Sequence, residues 1–233
     1  MTFTNIPRPT RSLVRRSLVA VALCAGAVST TAASVIAVPI VAHAAPAAAT
    51  VSVVASRART ADAVADQASA ALSLLDRVTR GEAAAAAPYE ELRDEIAAAV
   101  AGRVGADAVR MQLAWAAADT AHQQALLAAL TQLGVPYRRN TSKAGVGFDC
   151  SGITTFAWAR AGHTLTRQSS AQIRAAAPRT IETSQAGDLV QYPGHVMMWL
   201  GVDNTIVHAI GSGRNVEVDV TKRKNLRFGD PTG

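Results

Sequence analysis

Alanine-rich segments between residues 55 and 110 place hydrophobic residues at helical spacing. In the first segment, apolar residues recur every three or four positions, at Val64, Ala68, Ala71, Leu72, Leu75 and Val78. A second helix is predicted over residues 89–101, where Glu90 and Glu91 lie in the first turn and favour the helix dipole. Because both apolar stripes consist mostly of alanine, the two helices are predicted to form a hairpin that needs a partner surface.

Three further helices are predicted along the chain. The first covers residues 107–133 with a break near Asp119, and Gly134 follows at the position where a helix commonly ends. The second begins at Cys150 and ends at Gly162. The third, a short helix over residues 169–177, should stop before Pro178.

Beyond Gly187 the hydrophobic period changes from helical to alternating. Four short strands are predicted, over residues 189–192, 196–200, 205–210 and 216–220. The connections between them are too short for crossover helices, so neighbouring strands should be antiparallel. The predicted fold class is therefore α+β, with N-terminal helices packed on an antiparallel β-meander.

The first 44 residues have the pattern of an export signal. Four arginines precede a long apolar run, and Ala42-His43-Ala44 has the small-x-small form of a signal-peptidase site. The alternative is an uncleaved membrane anchor, because the apolar run is unusually long. The chain is thus predicted to contain a signal peptide (1–44), an alanine-rich helical accessory segment (45–110), the main domain (111–220) and a basic C-terminal tail (221–233).

Positive charge is concentrated at the two ends of the chain. The formal net charge is +6, and the first 44 residues carry four of the arginines and no acid. The tail adds Lys222, Arg223, Lys224 and Arg227 against Asp230. No basic stripe remains on the main domain, which argues against nucleic acid as a partner. Contact with a membrane is expected only through the signal segment before it is cleaved. The tail is interpreted as a solvated end that could contact an anionic polymer.

Cys150 is the one cysteine left when the signal segment is removed, so no intramolecular disulfide can form and the thiol is a candidate nucleophile. A free thiol has a pKa near 8.5, and the thiolate is the reactive form. Reaching mostly thiolate at neutral pH takes a shift of about two units, or ~2.7 kcal/mol. A helix N-terminus contributes only ~0.3–1 kcal/mol. A charged partner is therefore expected, and a histidine is the obvious candidate.

Two histidines fall in the predicted strands. His195 opens one strand and His208 lies in the next. A turn centred near Val202-Asp203 would place residue 210 opposite His195, with His208 on the same face one diagonal step away, at roughly 7–8 Å between backbones. A general base held by a second ring is the arrangement that a cysteine nucleophile needs. A slip of one residue would send one histidine to the other face.

Six short motifs occur in an order that resembles the NlpC/P60 family of cell-wall cysteine peptidases, over residues 121–220. They are Gly134-Val135-Pro136-Tyr137, Gly147-Phe148-Asp149-Cys150-Ser151-Gly152, Leu165-Thr166-Arg167-Gln168-Ser169-Ser170-Ala171-Gln172, Gly187-Asp188-Leu189-Val190, His195-Val196 and Val207-His208-Ala209. The resemblance implies a papain-like NlpC-type domain over residues 111–220. It also implies a secreted enzyme that hydrolyses peptidoglycan stem peptides, commonly after γ-D-glutamyl, without a cofactor or metal.

The resemblance also implies roles for individual residues. Cys150 would be the nucleophile, His195 the general base and acid, and His208 the polar residue that orients His195. Residues expected to bind the substrate, to stabilise the oxyanion or to pack beside the site are Tyr137, Asp149, Ser151, Arg167, Ser169 and Gln172. The expected location is the wall or surface of a bacterium, and the excess of arginine over lysine indicates a high-GC Gram-positive source. Because the accessory helices need an apolar partner, they are expected either to pack over the substrate groove or to hold the enzyme at the wall or to another protein.

Three positions depart from the family pattern. Tyr137 is followed by Arg138-Arg139-Asn140 where the family often has Trp-Gly-Gly. Thr166 replaces a common proline, and Met197 replaces the usual glycine after His195-Val196, adding bulk on the nucleophile's side or the opposite face. These departures bear on specificity, because all three reactive positions are filled.

Other interpretations of the same residues stay open. Cys150 as an inert buried thiol is one, since most buried cysteines only pack. One thiolate and two imidazoles also suit zinc, although the spacing of the two histidines is not one usual for ligands. A third is a binding module that keeps the fold without turnover.

Overall fold

The computed structural model describes residues 59–233, so the predicted signal segment lies outside the described residues. The described chain is a mixed structure of helices and antiparallel sheet. The helices are α1 (Ala63–Thr79), α2 (Ala86–Val104), α3 (Ala108–Ala117), α4 (Thr120–Leu130), α5 (Cys150–Arg160) and α6 (Ser169–Ala175), with a 3₁₀ turn at Ala83–Ala85. The strands are β1 (Ser142–Lys143), β2 (Gly147–Phe148), β3 (Ala177–Arg179), β4 (Leu189–Tyr192), β5 (His195–Trp199), β6 (Thr205–Ala209), β7 (Val216–Val220) and β8 (Arg227–Asp230). Among the described helices, none has the length and apolar character needed to span a bilayer.

The predicted alanine-rich hairpin is confirmed as α1 and α2. Asp62 begins α1 by accepting a hydrogen bond from the backbone N–H of Val64 (2.9 Å), and Gly105 ends α2 in the left-handed conformation. The small side chains let α1 approach both α2 and α4. The hairpin therefore finds its partner surface within this chain, and it shares a core with the rest of the described residues. The division at residue 110 stays a prediction.

The predicted break in the third helical segment separates α3 from α4. Asp119 adopts an extended conformation and caps α4 by accepting a hydrogen bond from His122 N–H (3.0 Å). On α3, the Trp115 indole N–H donates to the carbonyl of Leu200 (2.9 Å), which connects this helix to the end of the sheet. Gly134 has a φ of +80°, and a Cβ there would overlap the carbonyl oxygen of Thr60.

The large sheet has six strands in the order β3-β8-β4-β5-β6-β7, with every neighbouring pair antiparallel. It contains all four predicted strands. Met198 pairs with Val207 and Trp199 pairs with Ile206. This register has the turn centre that the sequence predicted, so the α+β prediction and the relative placement of β5 and β6 are both confirmed.

The sequence missed β3 and β8, and the interpretation of the C-terminus as a solvated end is wrong for β8. This strand lies between β3 and β4 and pairs with both, and Phe228 and Asp230 are buried. Its one large apolar residue gives no alternating pattern, which explains why the strand was not predicted. The helix predicted to end at residue 177 ends at Ala175, because the chain there enters β3.

The two faces of the sheet carry different hydrophobic clusters. One face packs on the helices through residues such as Val196, Met198 and Val207, which share a cluster with Ile153 and Ala157 of α5. The opposite face holds a smaller cluster of Val190, Met197, Trp199, Ile206 and Phe228. The segment of residues 221–226, which we call the C-terminal strap, joins the edge strand β7 to β8. It packs Leu226 against this smaller cluster.

Candidate active site

Helix α5 begins at Cys150, and the residue before it sets the start. Asp149 is extended and its Oδ1 accepts a hydrogen bond from the backbone N–H of Gly152 (2.7 Å). Gly152 is required because a Cβ would overlap the carbonyl oxygen of Thr141. Cys150 thus occupies the first helical position, where backbone N–H groups have no partner within the helix.

Three of the predicted site residues form one cluster beside Cys150. The Arg167 guanidinium donates to both carboxylate oxygens of Asp149 (3.0 and 2.9 Å) and to Ser151 Oγ (2.9 Å). Asp149 and Ser151 are buried, whereas Arg167 remains partly exposed. Both contacts to Asp149 come from the one nitrogen Nη2, and this ion pair holds the Asp149 carboxylate in the orientation that caps α5.

Gln172 connects α6 to the same cluster. Its buried amide donates to the carbonyls of Ser151 (3.1 Å) and Thr166 (2.8 Å), and its Oε1 accepts from Thr154 Oγ1 (2.7 Å). Ser169 opens α6 and is half-buried. In the described chain, no side-chain hydrogen bond connects Ser169 to this cluster, so Arg167 and Gln172 are the residues of the motif at positions 165–172 whose side chains contact it.

Tyr137 lies close to the start of α5. It forms an isolated bridge with Phe148. Burial raises the pKa of Tyr137, and the nearby charges of Cys150 and Asp149 raise it further. The phenol therefore stays protonated near neutral pH and is available as a hydrogen-bond donor beside Cys150.

His195 and His208 meet in the sheet as the register predicted. Nε2 of His195 lies 3.1 Å from Nδ1 of His208, and both rings are buried. Because Nε2 of His195 is occupied by this contact, Nδ1 is the nitrogen left to act on a neighbouring group. In the described chain, no hydrogen bond joins Cys150 to either ring. Helix α5 packs on the face of β5 that carries Val196, whereas the two rings lie on the face that carries Met197, so the structure does not bring the thiol and the rings into contact.

Both histidines are uncharged at neutral pH. Burial lowers the pKa of His195 to about 4, with a further lowering from the Arg223 guanidinium. Burial also lowers the pKa of His208 to about 4, together with His195 and Arg214 and against an opposing effect of Asp219. The site therefore supplies a neutral imidazole that can accept a proton, and not the charged partner that the sequence predicted.

The far side of His208 faces two carboxylates that the sequence did not single out. Nε2 of His208 lies 3.6 Å from Glu217 Oε1 and 3.9 Å from Asp219 Oδ2, distances too long for hydrogen bonds. Arg214 pairs with Glu217 at 2.5 Å. Glu217 and Asp219 occupy alternate positions of β7, next to the strand that contains His208. This pattern is the sequence signal from which the contact could have been predicted.

Met197 stands where the family usually has glycine. Its side chain lies on the same face of the sheet as His195 and His208, so the added bulk is on that face. Extending the register by one residue places Met197 opposite His208. Both line a cavity of about 370 Å³ between the sheet and the C-terminal strap. Met197 therefore narrows the space next to His208.

Two clusters of the described residues bring three possible metal-ligand atoms together, and neither includes Cys150. One consists of His208, Glu217 and Asp219, and the other of His122, Asp188 and Asp230. In the second cluster the His122 ring donates from Nδ1 to Asp119 (2.8 Å) and from Nε2 to Asp188 (3.0 Å).

Opposite charges already balance the His122 cluster. Burial alone would lower the pKa of His122, but the hydrogen bonds to Asp188 and Asp119 outweigh it and raise the pKa. Arg179 neutralises Asp230 at 2.5 Å. His122 faces Asp188 and Arg179 faces Asp230. The three-residue cluster is therefore balanced without a metal ion and is an internal ion-pair network.

Comparison with known proteins confirms the resemblance found in the sequence. Residues 134–227 match the model of the NlpC/P60 family. A protein of Corynebacterium glutamicum named "Probable endopeptidase" is 36% identical over 117 residues, which cover 49% of this chain and 54% of that protein. The "Gamma-D-glutamyl-L-lysine dipeptidyl-peptidase" of Bacillus cereus is 34% identical over 94 residues, covering 37% of this chain and 28% of that protein.

The matches span about half the length of these relatives or less. Among solved structures, RipD of Mycobacterium tuberculosis is described as a non-catalytic NlpC/p60 domain protein with an adaptation to peptidoglycan-binding function. It aligns with a TM-score of 0.41 at 22% identity, over 48% of this chain and 98% of that chain.

Proposed function

Since residues 134–227 match the model of the NlpC/P60 family, we propose that this chain is a peptidoglycan endopeptidase with a Cys150, His195, His208 mechanism. The observation that carries the proposal is that one fold combines Cys150 at the start of α5 with a buried, neutral histidine pair on the neighbouring strands β5 and β6. A nucleophile, a base and a group that orients the base are the parts that thiol hydrolysis requires.

In the proposed reaction His195 Nδ1 accepts the thiol proton as Cys150 Sγ attacks a stem-peptide carbonyl carbon. The resulting oxyanion accepts hydrogen bonds from the Cys150 backbone N–H and from the Tyr137 hydroxyl. His195 then donates its proton to the leaving amine and a thioester forms. Water attacks the thioester with His195 as base, which releases the carboxylic acid product and regenerates the thiol.

The substrate is proposed to be the stem peptide, with cleavage after γ-D-glutamyl. The relative in Bacillus cereus, which is named for a γ-D-glutamyl-L-lysine bond, supports this bond. Asp149 and Ser151 would form the wall of the substrate site, with Arg167 holding Asp149 in place. Tyr137 would contribute from the opposite side of Cys150.

Export and a wall partner for α1 and α2 belong to the same proposal. The relatives in Corynebacterium and Mycobacterium support a high-GC Gram-positive source. Cell fractionation of the native host with an antibody to the chain would test the location. Recovery of the protein only in the cytosol would contradict it.

The decisive experiment is mass spectrometry of fragments released from purified peptidoglycan. Cys150→Ala should release no product, and His195→Ala should lose about 10²- to 10⁴-fold in turnover, the range for a general acid–base residue. His208→Ala should lose less than His195→Ala, since it acts through His195. His163→Ala is the control, because this half-buried histidine lies outside the site.

Each outcome separates one part of the proposal. Full activity of Cys150→Ala would exclude the thiol mechanism. Equal or reversed losses for the two histidine variants would show that their roles are misassigned. Binding of peptidoglycan by the wild type without any released fragment would identify a binding module instead.

A further inference from the structure

A second cavity of about 750 Å³ opens beside the histidine pair, where the C-terminal strap enters β8. It lies next to the turn between β4 and β5 and shares Tyr192 and Arg223 with the cavity at His208. Its lining residues are Ser170, Gln191, Tyr192, Pro193, Gly194, Arg223, Lys224, Asn225 and Arg227.

The charge of this cavity is wholly positive. Three of its lining residues are cations and none is an acid. Within the described residues, Arg223, Lys224 and Arg227 have no carboxylate partner within 4 Å. In contrast, Arg167, Arg179 and Arg214 each pair with an acid. Uncompensated cations that converge on one concave site favour an anionic ligand.

Contacts with the sheet, with a hydrophobic cluster and with an aromatic ring hold the C-terminal strap in place. Arg227 pairs with Gln191 at the start of β8, so its backbone belongs to the sheet. Leu226 packs against the hydrophobic cluster on the same face, and the Arg223 guanidinium stacks over the Tyr192 ring at 4.8 Å. The positive groups are therefore placed before any ligand binds, which lowers the entropy cost of binding.

The cavity also connects to the proposed base. The Tyr192 ring lies 5.2 Å from the His195 ring. Arg223 is close enough to contribute to the lowered pKa of His195. An anion bound in the cavity would thus lie next to Tyr192, one aromatic ring away from the proposed base.

We infer that Arg223, Lys224 and Arg227 form a subsite that binds a carboxylate of the peptide substrate, an inference that rests on the proposed function. A guanidinium and an ammonium both suit a carboxylate, and Asn225 adds an amide donor. A bounded cavity next to the base fits a peptide carboxylate better than a long phosphodiester polymer, which would need an extended basic stripe. This assigns a role in specificity to the end of the chain that the sequence suggested was solvated.

The test compares two synthetic γ-D-glutamyl stem peptides that differ only in carrying free or amidated carboxylates at the C-terminal end. The Lys224→Gln/Arg227→Gln double variant should raise KM for the free-carboxylate peptide by about fivefold to tenfold, because each exposed charge pair contributes a factor of roughly 1.5 to 5. Its KM for the amidated peptide and its kcat should change less than about twofold. The wild type should prefer the free-carboxylate peptide.

Arg174→Gln is the matched control. This exposed arginine lies on α6, which contributes Ser170 to the cavity, but it is not a lining residue. It should leave both KM values unchanged. A change of KM in the double variant that is equal for the two peptides, or no change for either, would overturn the carboxylate subsite.

Binding to Cys150→Ala separates this inference from the proposed function. In calorimetry, the free-carboxylate peptide should bind Cys150→Ala more tightly than the amidated one, and the Lys224→Gln/Arg227→Gln changes should remove the difference. This result would support the subsite even if the wild type hydrolyses neither peptide. If the changes weaken only binding to a polyphosphate probe, the site takes a phosphate polymer and the inference is wrong.

Discussion

Two buried histidine sites lie within one fold, and their histidine pKa values are shifted in opposite directions. The pKa of His122 is raised, because carboxylates at 2.8 and 3.0 Å from its two nitrogens favour the charged ring and outweigh burial. His195 and His208 are neutral, because they contact each other and the nearest carboxylates to His208 lie at 3.6 and 3.9 Å. Burial is similar at all three rings, so the distance to a carboxylate decides the charge.

The two histidine sites differ in what they can do: one contributes to stability and the other can take part in proton transfer. A charged histidine held between acids is an ion pair that joins α4 to the sheet, and its proton is not free to transfer. A neutral pair with one open nitrogen can accept and return a proton. The chain thus uses the same residue type as a connection in one place and as a candidate base in the other.

The largest effect is expected from breaking the charged site. His122→Ala should lower the free energy of unfolding by about 3–5 kcal/mol, since removing one partner of a buried pair leaves an uncompensated charge, here on Asp188. Urea denaturation at pH 7 would measure the change. His163→Ala is a matched control because both rings contact Trp158 edge-on, but His163 forms no ion pair among the described residues. Equal losses in the two variants would show that packing on Trp158, and not charge, explains the effect.

An intermediate effect is expected from the pH dependence of stability. The pKa of His195 and of His208 is about 4 when folded and about 6.5 when unfolded. The unfolded chain therefore binds more protons in this window, and stability should be lost as the pH falls from about 6.5 to 4, by at most about 3 kcal/mol per ring.

This window isolates the neutral pair. The pKa values of Asp62, Asp119 and Asp230 are lowered, so the stability that these carboxylates contribute is lost only below about pH 4. The raised pKa of His122 places the loss of its contribution above 6.5. Unfolding measured at intervals between pH 4 and 7 should show a slope in the wild type that His195→Gln/His208→Asn removes. An unchanged slope in that variant would mean that other groups titrate there.

The smallest effect is expected from moving His208 toward the charged state. Arg214 lowers the pKa of His208 and pairs with Glu217. Arg214→Gln should therefore raise the pKa of His208, with an effect on its protonation below about 1 kcal/mol, because Arg214 is half-exposed. NMR titration of the histidine ring protons would follow the change.

Arg77→Gln is the control for this titration. Arg77 forms a comparable surface pair with Glu82 at 2.8 Å, on a helix that carries none of these histidines. It should leave the titration of His208 unchanged. A lowered or unaltered pKa of His208 in Arg214→Gln would contradict the electrostatic account of the neutral pair.

Most of the fold could be predicted from local pattern. Helical spacing predicted α1 to α6, and alternation predicted β4 to β7. The turn centre correctly predicted the register that brings His195 beside His208. The site residues near Cys150 were predicted from the family resemblance. Asp149 and Ser151 lie next to Cys150 in the chain. Arg167, which is 18 and 16 positions away from them, donates hydrogen bonds to both at the start of α5.

The missed features depend on contacts between distant residues. β8 carries a single large apolar residue and becomes a strand only because β3 and β4 offer hydrogen-bonding partners on both sides. Arg223 reaches the histidine pair because the strap crosses the sheet face. Neither contact leaves a periodic signal in the chain.

The sequence by itself determined the helices and the strands β4 to β7, because these follow from side-chain periodicity and local capping. The turn centre determined the register of β5 and β6, and the order of the reactive residues carried the family resemblance. The tertiary structure decided the charge of each histidine, the face on which Met197 lies and the place of the C-terminal strap. The physical reason is that a buried ring takes its protonation state from groups brought close by folding. Asp188, which helps to keep His122 charged, is 66 positions away in the chain.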